Sequence, residues 1–302
     1  MKVLCFGSLN IDYTYKLDHF VQKGETISSD ELIVCGGGKG LNQSIALSRA
    51  GVETYHAGAV GKDGTFLLEQ LEEAGVHTEY VKVFSDMKSG HAIIQNDKSG
   101  DNCIILHGGA NQAITEEQVD AVLQHFAKGD FIVLQNEINE LDYIVECASK
   151  KGMKIVLNPS PMNEKILRLS LEHVNYFMVN EIEAKQILRK ENVSDMDSFE
   201  TAKELREKFP GAAVVLTMGE KGSLYMDSRE TVVQPAYKVQ AVDTTAAGDT
   251  FAGFFIGAVM KGEEIKIAMQ EAAKASAIAV TRQGAVTSIP TMEEVYSLRN
   301  MA

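Results

Sequence analysis

Short apolar runs alternate along the chain with segments whose apolar positions recur at helical spacing. The apolar runs predict buried strands at Val3–Phe6, Thr54–Ala59, Phe131–Gln135, Lys154–Leu157, Tyr176–Val179 and Ala213–Thr217. The helical patterns lie at Leu41–Ala50, Gly64–Ala74, Glu140–Lys151, Ala252–Lys261, Ile265–Thr281 and Glu293–Leu298. Strands that alternate with helices predict an α/β fold in which a mostly parallel sheet is covered on both faces.

Two stretches, near residues 11–35 and 88–107, carry strand signals with no helix between them. In the second, His91–Gln95 and Asn102–His107 flank the turn-forming residues 96–100, which is the pattern of a hairpin. Antiparallel strands inserted in such a domain predict a small accessory sheet. That sheet is either a lid over the ligand-binding edge of the main sheet or a hairpin without function.

Charge and composition narrow the classes of partner. The 302 residues carry a formal charge of −13, which disfavours nucleic acid because phosphate backbones are repelled. The cysteines are widely spaced and form no C-x-x-C pair, so we expect reduced thiols rather than metal ligands. The amino terminus lacks the apolar core of a signal peptide, and the apolar run Phe251–Met260 is too short to span a bilayer. We expect a cytoplasmic protein that does not bind membranes.

The segment from Asp243 to Asp249, D-T-T-A-A-G-D, places small residues directly before an apolar helix. Such a turn leaves backbone N–H groups unpaired at the helix start, where the helix dipole also favours an anion such as a phosphate. Asp249 would lie in the first helical turn. Its carboxylate could cap the helix or act as a catalytic base, and the pattern alone leaves both open.

Glycines surround Lys39 in the segment from Gly36 to Asn42, G-G-G-K-G-L-N, which opens the predicted helix from Leu41. Glycine permits a ligand to approach the backbone closely, but the segment is also compatible with a structural turn. It is not a P-loop, since Gly40 rather than Ser or Thr follows the lysine.

Two pairs of polar residues follow predicted strands. Asn180 and Glu183 suit a hydrated Mg²⁺, or they form a helix cap with an acidic first turn. Asn10 and Asp12 suit the vicinal hydroxyls of a sugar, or they form a turn.

Taken in order along nearly the whole chain, these motifs resemble the ribokinase/phosphofructokinase-B family of carbohydrate kinases. The matching segments are Asn10 with Asp12, Gly37–Asn42, Asn158-Pro159, Asn180 with Glu183, and Asp243–Asp249. The resemblance implies one ribokinase-like three-layer α/β domain over residues 1–302, with a lid formed from about 11–35 and 88–107.

The resemblance also implies roles for individual residues. Asp249 would be the catalytic base, and the sugar would be bound by Asn10, Asp12, Gly38, Lys39, Gly40, Asn42, Glu137 and Asp249. An anion hole would be formed by Ala246, Ala247 and Gly248. ATP would be bound by Asn180, Thr217, Gly219, Glu220, Gly222, Gly248 and Ala273. Glu183 would hold Mg²⁺ through water, and a monovalent cation, K⁺, would lie near Asp243, Thr245, Ala279, Arg282, Gly284 and Ser288.

The activity implied is ATP-dependent phosphorylation of a sugar primary hydroxyl, with D-ribose as the expected acceptor, by a homodimer that pairs through its lid. The alternatives are a kinase for another sugar or a nucleoside, and a catalytically silent sugar- or nucleotide-binding regulator. Two positions depart from the family pattern. Gly36 stands where an apolar residue is common, and Ala273 stands where His or Asn is expected to contact adenine.

Overall fold

The computed structural model describes residues 1–99, 101–190 and 197–297. Gly100 of the predicted hairpin turn and Leu298, the last residue of the last predicted helix, lie outside the described residues. None of the helices in the described ranges has the length and apolar character needed to span a bilayer.

The main sheet has the strand order β13-β12-β11-β10-β9-β8-β1-β4-β5 among the described residues. The strands from β11 to β5 in this order pair in parallel, and β12 and β13 add antiparallel to one edge. The mostly parallel sheet predicted from the sequence is thus confirmed, while the antiparallel edge was not anticipated. The strands are β1 (Val3–Phe6), β4 (Thr54–Gly61), β5 (His77–Phe84), β8 (Phe131–Gln135), β9 (Lys154–Asn158), β10 (Tyr176–Asn180), β11 (Ala213–Thr217), β12 (Ser223–Met226) and β13 (Thr231–Gln234).

Helices cover both faces of this sheet, and its central strands, such as β1 and β8, are therefore buried on both sides. In β1, Leu4 and Phe6 join one apolar cluster, and Val3 and Cys5 join the other. The helices are α1 (Lys39–Arg49), α2 (Thr65–Glu73), α3 (Glu116–Leu123), α4 (Leu141–Lys151), α5 (Glu181–Ile187), α6 (Ser198–Lys208), α7 (Ala247–Met260), α8 (Ile265–Ala279) and α9 (Met292–Ser297). The result is a three-layer α/β arrangement, as expected.

A separate four-stranded sheet, the lid, lies beside the main sheet. Its strands are β2 (Asn10–Lys16), β3 (Glu31–Gly37), β6 (Gly90–Asn96) and β7 (Asn102–His107), in the order β3-β2-β6-β7. The predicted hairpin is confirmed, since β6 pairs antiparallel with β7, and β2 pairs in parallel with β6. Each of the two predicted insertions therefore contributes half of one sheet.

Helices α1 and α7 pack unusually closely, and this contact positions the candidate site. A Cβ added at Gly253 of α7 would overlap the side chain of Ala46 and lie 2.9 Å from its carbonyl carbon. A Cβ at Gly257 would lie 2.7 Å from the Cβ of Ala50. Glycine at both positions lets α7 approach α1 at a distance that alanine would not permit.

The close contact predicts that Gly253→Ala destabilises the protein, although alanine is the better helix former by about 1 kcal/mol. We expect overpacking to dominate and the free energy of unfolding to fall by about 1–3 kcal/mol in urea denaturation. Gly211 is the matched control, since it is exposed and a Cβ there meets nothing within 4 Å. Gly211→Ala should change stability by no more than about 0.5 kcal/mol. Equal stability of the two variants would contradict the packing argument.

Candidate active site

Polar residues gather where the parallel strands of the main sheet end. Asn158, Asn180 and Thr217 are the last residues of β9, β10 and β11, and Glu137 follows β8 by two positions. The carboxyl ends of parallel strands meet at one edge, which is where open α/β sheets bind ligands. A cleft of about 210 Å³ opens there, lined by Lys39, Asn158, Ser160, Met178, Val179, Asn180, Glu183, Thr217, Thr244, Ala246, Ala247, Gly248, Asp249 and Phe251.

The start of α7 forms one wall of this cleft. Ala246 caps the helix in the left-handed conformation, with φ 59°, and accepts a hydrogen bond from the N–H of Thr250 at 2.8 Å. The N–H of Ala247 closes the turn on the carbonyl of Thr244 at 3.2 Å. Within the described ranges, the N–H groups of Gly248 and Asp249 have no protein acceptor. These free donors at a helix start suit an anion.

Asp249 lies in the first turn of α7 and is 6% exposed. Its two carboxylate oxygens each accept a hydrogen bond from α1, one from Nδ2 of Asn42 at 3.0 Å and one from Nε2 of Gln43 at 2.8 Å. The side chain therefore faces α1 and the cleft rather than capping its own helix. The sequence had left both alternatives open, and the structure places the carboxylate where it can meet a ligand.

Lys39 brings a positive charge into the same cleft. The negative charge of Asp249 raises the pKa of Lys39, with smaller contributions from Glu137 and Glu183, and together these outweigh the opposing effect of burial. The charged form of the lysine is therefore favoured by the carboxylates near it.

Asp12 on β2 faces away from the outer surface of the lid, next to Gly37 of β3. A Cβ at Gly37 would overlap the Asp12 carboxylate, so glycine at this position leaves room for that side chain. Burial, together with the negative charge of Glu137, raises the pKa of Asp12 to about 7. The two carboxyl groups thus lie close enough to interact, and the lid and main sheet each supply one.

Glu137 is tied to the start of α1. Its carboxylate accepts hydrogen bonds from the backbone N–H of Lys39 at 2.9 Å and from the hydroxyl of Ser8. Ser8 in turn accepts the N–H of Gly40 at 3.3 Å. Burial raises the pKa of Glu137 despite these donors. Gly38, in front of α1, has φ 94°, a conformation that favours glycine.

Asn10 is oriented by a residue that the sequence analysis did not identify, Asn111. The Asn111 side chain, 1% exposed, donates to Oδ1 of Asn10 at 2.7 Å and accepts the N–H of Leu9 at 3.0 Å. With its oxygen engaged, the Asn10 amide has its N–H₂ group available as a donor. Gln43 and Ser8 were missed as well. The only signal for Gln43 was a polar residue on a helix that is otherwise buried.

Asn180 and Glu183 form a reciprocal capping box at the start of α5. Oδ1 of Asn180 accepts the N–H of Glu183 at 2.8 Å, and Oε2 of Glu183 accepts the N–H of Asn180 at 3.0 Å. The capping alternative is thus realised, and both side chains also line the cleft. Of the other residues expected at ATP, Thr217 and Gly248 line the cleft, whereas Gly219, Glu220, Gly222 and Ala273 do not.

The segment before α7 meets the segment after α8, as expected. Asp243 accepts hydrogen bonds from the N–H and hydroxyl of Thr245, at 2.9 and 2.6 Å, and from the N–H of Gly284 at 2.9 Å. Burial opposes ionisation, but these three bonds together lower the pKa of Asp243. Arg282 pairs with Glu294 at 2.6 Å through its guanidinium. Ser288 is buried and donates to the carbonyl of Ala285 at 2.7 Å.

The family profile and the relatives that match this chain agree with each other. Residues 1–292 match the pfkB family carbohydrate kinase profile. The chain is 34% identical to a ribokinase of Staphylococcus aureus, strain COL, over 97% of this chain and 98% of the relative. It is 30% identical to a deoxyribokinase of Salmonella typhi over 97% of each chain.

Solved structures resemble the whole chain. The ribokinase of Cryptococcus neoformans var. grubii serotype A in complex with ADP is 33% identical, with a TM-score of 0.86 over 98% of this chain and 99% of the other. The Arabidopsis thaliana ribokinase complexed with ribose and ATP is 26% identical, with a TM-score of 0.86 over 100% and 99%. The chain therefore belongs to the pfkB family of carbohydrate kinases.

Proposed function

We propose that this kinase transfers the γ-phosphoryl group of ATP to the 5-hydroxyl of D-ribose, which gives ribose 5-phosphate and ADP. The observation that carries the proposal is the position of Asp249. Its buried carboxylate lines the cleft in the same helical turn as the free N–H groups that begin α7, and its charge is close enough to Glu137 to raise the pKa of that group. The relatives named for ribose phosphorylation, and the one that holds ribose and ATP, support ribose as the acceptor.

In the reaction, Asp249 would accept the hydroxyl proton as the sugar oxygen forms its bond to the γ-phosphorus and the bond from that phosphorus to the ADP oxygen breaks. The N–H groups of Gly248 and Asp249 and the ammonium of Lys39 would stabilise the charge that develops on the phosphoryl oxygens. The N–H of Ala247 already donates to the carbonyl of Thr244. We therefore assign the anion hole chiefly to the N–H groups of Gly248 and Asp249. The expected set of Ala246, Ala247 and Gly248 would not contribute equally.

Sugar hydroxyls would bind between the lid and the main sheet. Asp12 and Glu137 supply acceptors, and the amide of Asn10 supplies a donor. The vicinal hydroxyls of ribose need acceptors and donors of this kind. Gly38 and Gly40 would let the sugar approach the backbone.

The residues of the cleft fit a Mg²⁺ that remains partly hydrated. Within the described ranges, no three His, Cys, Asp or Glu side chains converge as a protein-held metal would require. We therefore propose that the ATP phosphates hold the ion and that Glu183 contacts it through water. The ion would neutralise charge on the phosphates.

We further propose that K⁺ binds where the segments at Asp243 and Gly284 meet. Both oxygens of Asp243 already bind N–H groups, so the carboxylate would supply charge while backbone carbonyls of Thr245, Ala279, Arg282 and Gly284 supply ligands. Ser288 would supply a further oxygen to the ion. Since this junction directly precedes the α7 turn, the ion would fix the direction of the N–H donors.

The outer face of the lid supports a proposed homodimer. Register places Val34, Tyr13, Ile93 and Ile105 in one row across all four lid strands. Val34, Ile93 and Ile105 are exposed. An exposed apolar row on a sheet with open edges is suited to a second copy of the same surface. A cytoplasmic location remains a prediction from the sequence.

The proposed function predicts a higher kcat/KM for D-ribose than for 2-deoxyribose, fructose or nucleosides, as measured by ADP release. The Salmonella relative makes 2-deoxyribose the most informative competing substrate. A higher kcat/KM for 2-deoxyribose would reassign the substrate.

The proposed role of Asp249 predicts that Asp249→Asn keeps the fold and lowers turnover by roughly 10²–10⁴-fold, the usual contribution of a general base. A variant with half of the wild-type turnover would remove Asp249 from this role.

The raised pKa of Asp12 predicts that ribose binding weakens on acidification. Hydroxyl groups donate more strongly to the ionised carboxylate, which predominates above pH 7 and is lost as pH falls through the pKa of about 7. We expect KM for ribose to rise roughly tenfold from pH 8 to pH 6, as protonation of one group allows. Asp12→Asn should have a high KM that changes little over this range. A pH-independent wild-type KM would contradict the assignment.

The cation site predicts faster turnover in potassium than in sodium or tetramethylammonium buffers at equal ionic strength. The response should be lost in Asp243→Asn, because the charge that attracts the ion is removed. Equal wild-type rates in the three buffers would exclude the site and leave the kinase function untouched.

The exposed apolar row of the lid predicts that the wild-type protein is a dimer. Its mass in solution can be measured by light scattering. Ile105→Lys should raise the dissociation constant of the dimer at least about tenfold, since a tenfold change needs only about 1.4 kcal/mol. Val233→Lys, at a residue of β13 that is 61% exposed, is the matched control and should remain dimeric. A monomeric wild type, or equal association of both variants, would place any partner elsewhere.

A further inference from the structure

Two glutamines, Gln43 on α1 and Gln135 at the end of β8, are fully buried below Asp249. Glutamine is mostly found at protein surfaces, so two buried amides in contact require a reason. Nε2 of Gln135 donates to Oε1 of Gln43 at 2.7 Å, and Nε2 of Gln43 donates to Oδ1 of Asp249 at 2.8 Å. The three side chains form one hydrogen-bonded chain that ends on the carboxylate.

The direction of this chain is set by Asp249. An ionised carboxylate can only accept hydrogen bonds, so Gln43 must present its N–H₂ group to it. The carbonyl of Gln43 then faces Gln135, which must present its own N–H₂ group in turn. Each amide is thus held in one of its two possible orientations by the charge at the end of the chain.

In this orientation, one polar atom of Gln135 is in an unfavourable environment. Its Oε1 is buried and has no hydrogen-bond partner among the described residues. A buried carbonyl without a donor is unfavourable. Gly7 leaves the space that this oxygen occupies, since a Cβ there would overlap it. The packing around Gly7 therefore accommodates Gln135 in the orientation in which its N–H₂ group donates to Gln43.

We propose that Gln43 and Gln135 are positioning residues for the base, an inference that rests on the proposed kinase function. Gln43 holds one carboxylate oxygen of Asp249, while Asn42 holds the other at 3.0 Å. The two bonds fix the plane of the carboxylate, so that its remaining lone pairs face the attacking hydroxyl. Gln135 acts only through Gln43, by fixing the orientation of the Gln43 amide.

The test is steady-state kinetics of Gln43→Met and Gln135→Met, which keep side-chain volume and remove the amide. We expect kcat to fall roughly 10- to 100-fold for Gln43→Met, the loss that small misplacement of a reacting group produces. KM for ribose and for ATP should stay within about twofold, since ground-state binding is retained. Gln135→Met should show the same split with a smaller loss of kcat.

A matched control is Gln118→Met on α3. The Gln118 amide also donates one hydrogen bond, to the carbonyl of Gly58 at 2.9 Å, and also has a buried oxygen without a partner in the described residues. It lies outside the cleft-lining set. Its loss should leave kcat unchanged, whatever it does to the melting temperature.

Double variants distinguish positioning from a general packing role. Because Gln135 acts through Gln43, the Gln43→Met/Gln135→Met pair should have the kcat of Gln43→Met alone. Adding Gln43→Met to Asp249→Asn should lower the residual turnover no further. Additive losses in either pair, or a Gln43→Met variant that keeps more than half of kcat, would overturn the inference. If Gln43→Met does not fold, Gln135→Met alone decides by the same kcat-against-KM split. A wild type inactive on ribose would instead contradict the proposed function.

Discussion

The burial of one negative charge organises this molecule. The Asp249 carboxylate is almost out of water, and such a burial is strongly unfavourable unless donors surround the charge. The donors come from α1, which must therefore lie close to α7. That approach is possible because Gly253 and Gly257 leave room for Ala46 and Ala50. The packing of the two helices and the placement of the proposed base are thus one requirement.

The same charge explains why the cleft contains polar groups that a core would normally exclude. Lys39 remains protonated beside Asp249, and the glutamine pair below it keeps a fixed orientation. On the proposed sugar side, burial and the negative charge of Glu137 disfavour the ionised form of Asp12, and a bound polyol would favour it by donating hydroxyl protons to the carboxylates. Two buried carboxyl groups that lie this close suit a ligand rich in hydroxyl groups.

The lid joins the two halves of the site. Strand β2 runs from Asn10, which Asn111 of the main body orients, to the outer row of apolar residues. Asp12 lies on the inner face, and Tyr13, one residue later, belongs to the outer row, because successive side chains of a strand point to opposite faces. One strand therefore supplies both the proposed sugar contact and the surface proposed for dimerisation.

Much of the fold could be predicted from the chain, because buried parallel strands and amphipathic helices have distinct periodicities. The strands Phe131–Gln135 and Ala213–Thr217 have the predicted bounds, and the lid hairpin lies where its turn residues indicated. Helix α7 begins five residues before the predicted Ala252, since the small residues of its first turn carry no apolar period. The antiparallel strands β12 and β13 were missed, because each has only four residues, too few to show a clear period.

The sequence by itself determined the family and the chemical types of the site, since the motifs around Asn10, Lys39 and Asp249 occur in a fixed order. Whether Asp249 would cap its helix or face a ligand was decided only by tertiary structure, because α1 supplies its donors from about 200 positions away in the chain. The roles of Gln43, Gln135 and Asn111 were likewise undetectable, because a buried hydrogen bond between distant residues has no local pattern. Periodicity records which face of an element is buried, but only the packed fold determines which polar groups meet there.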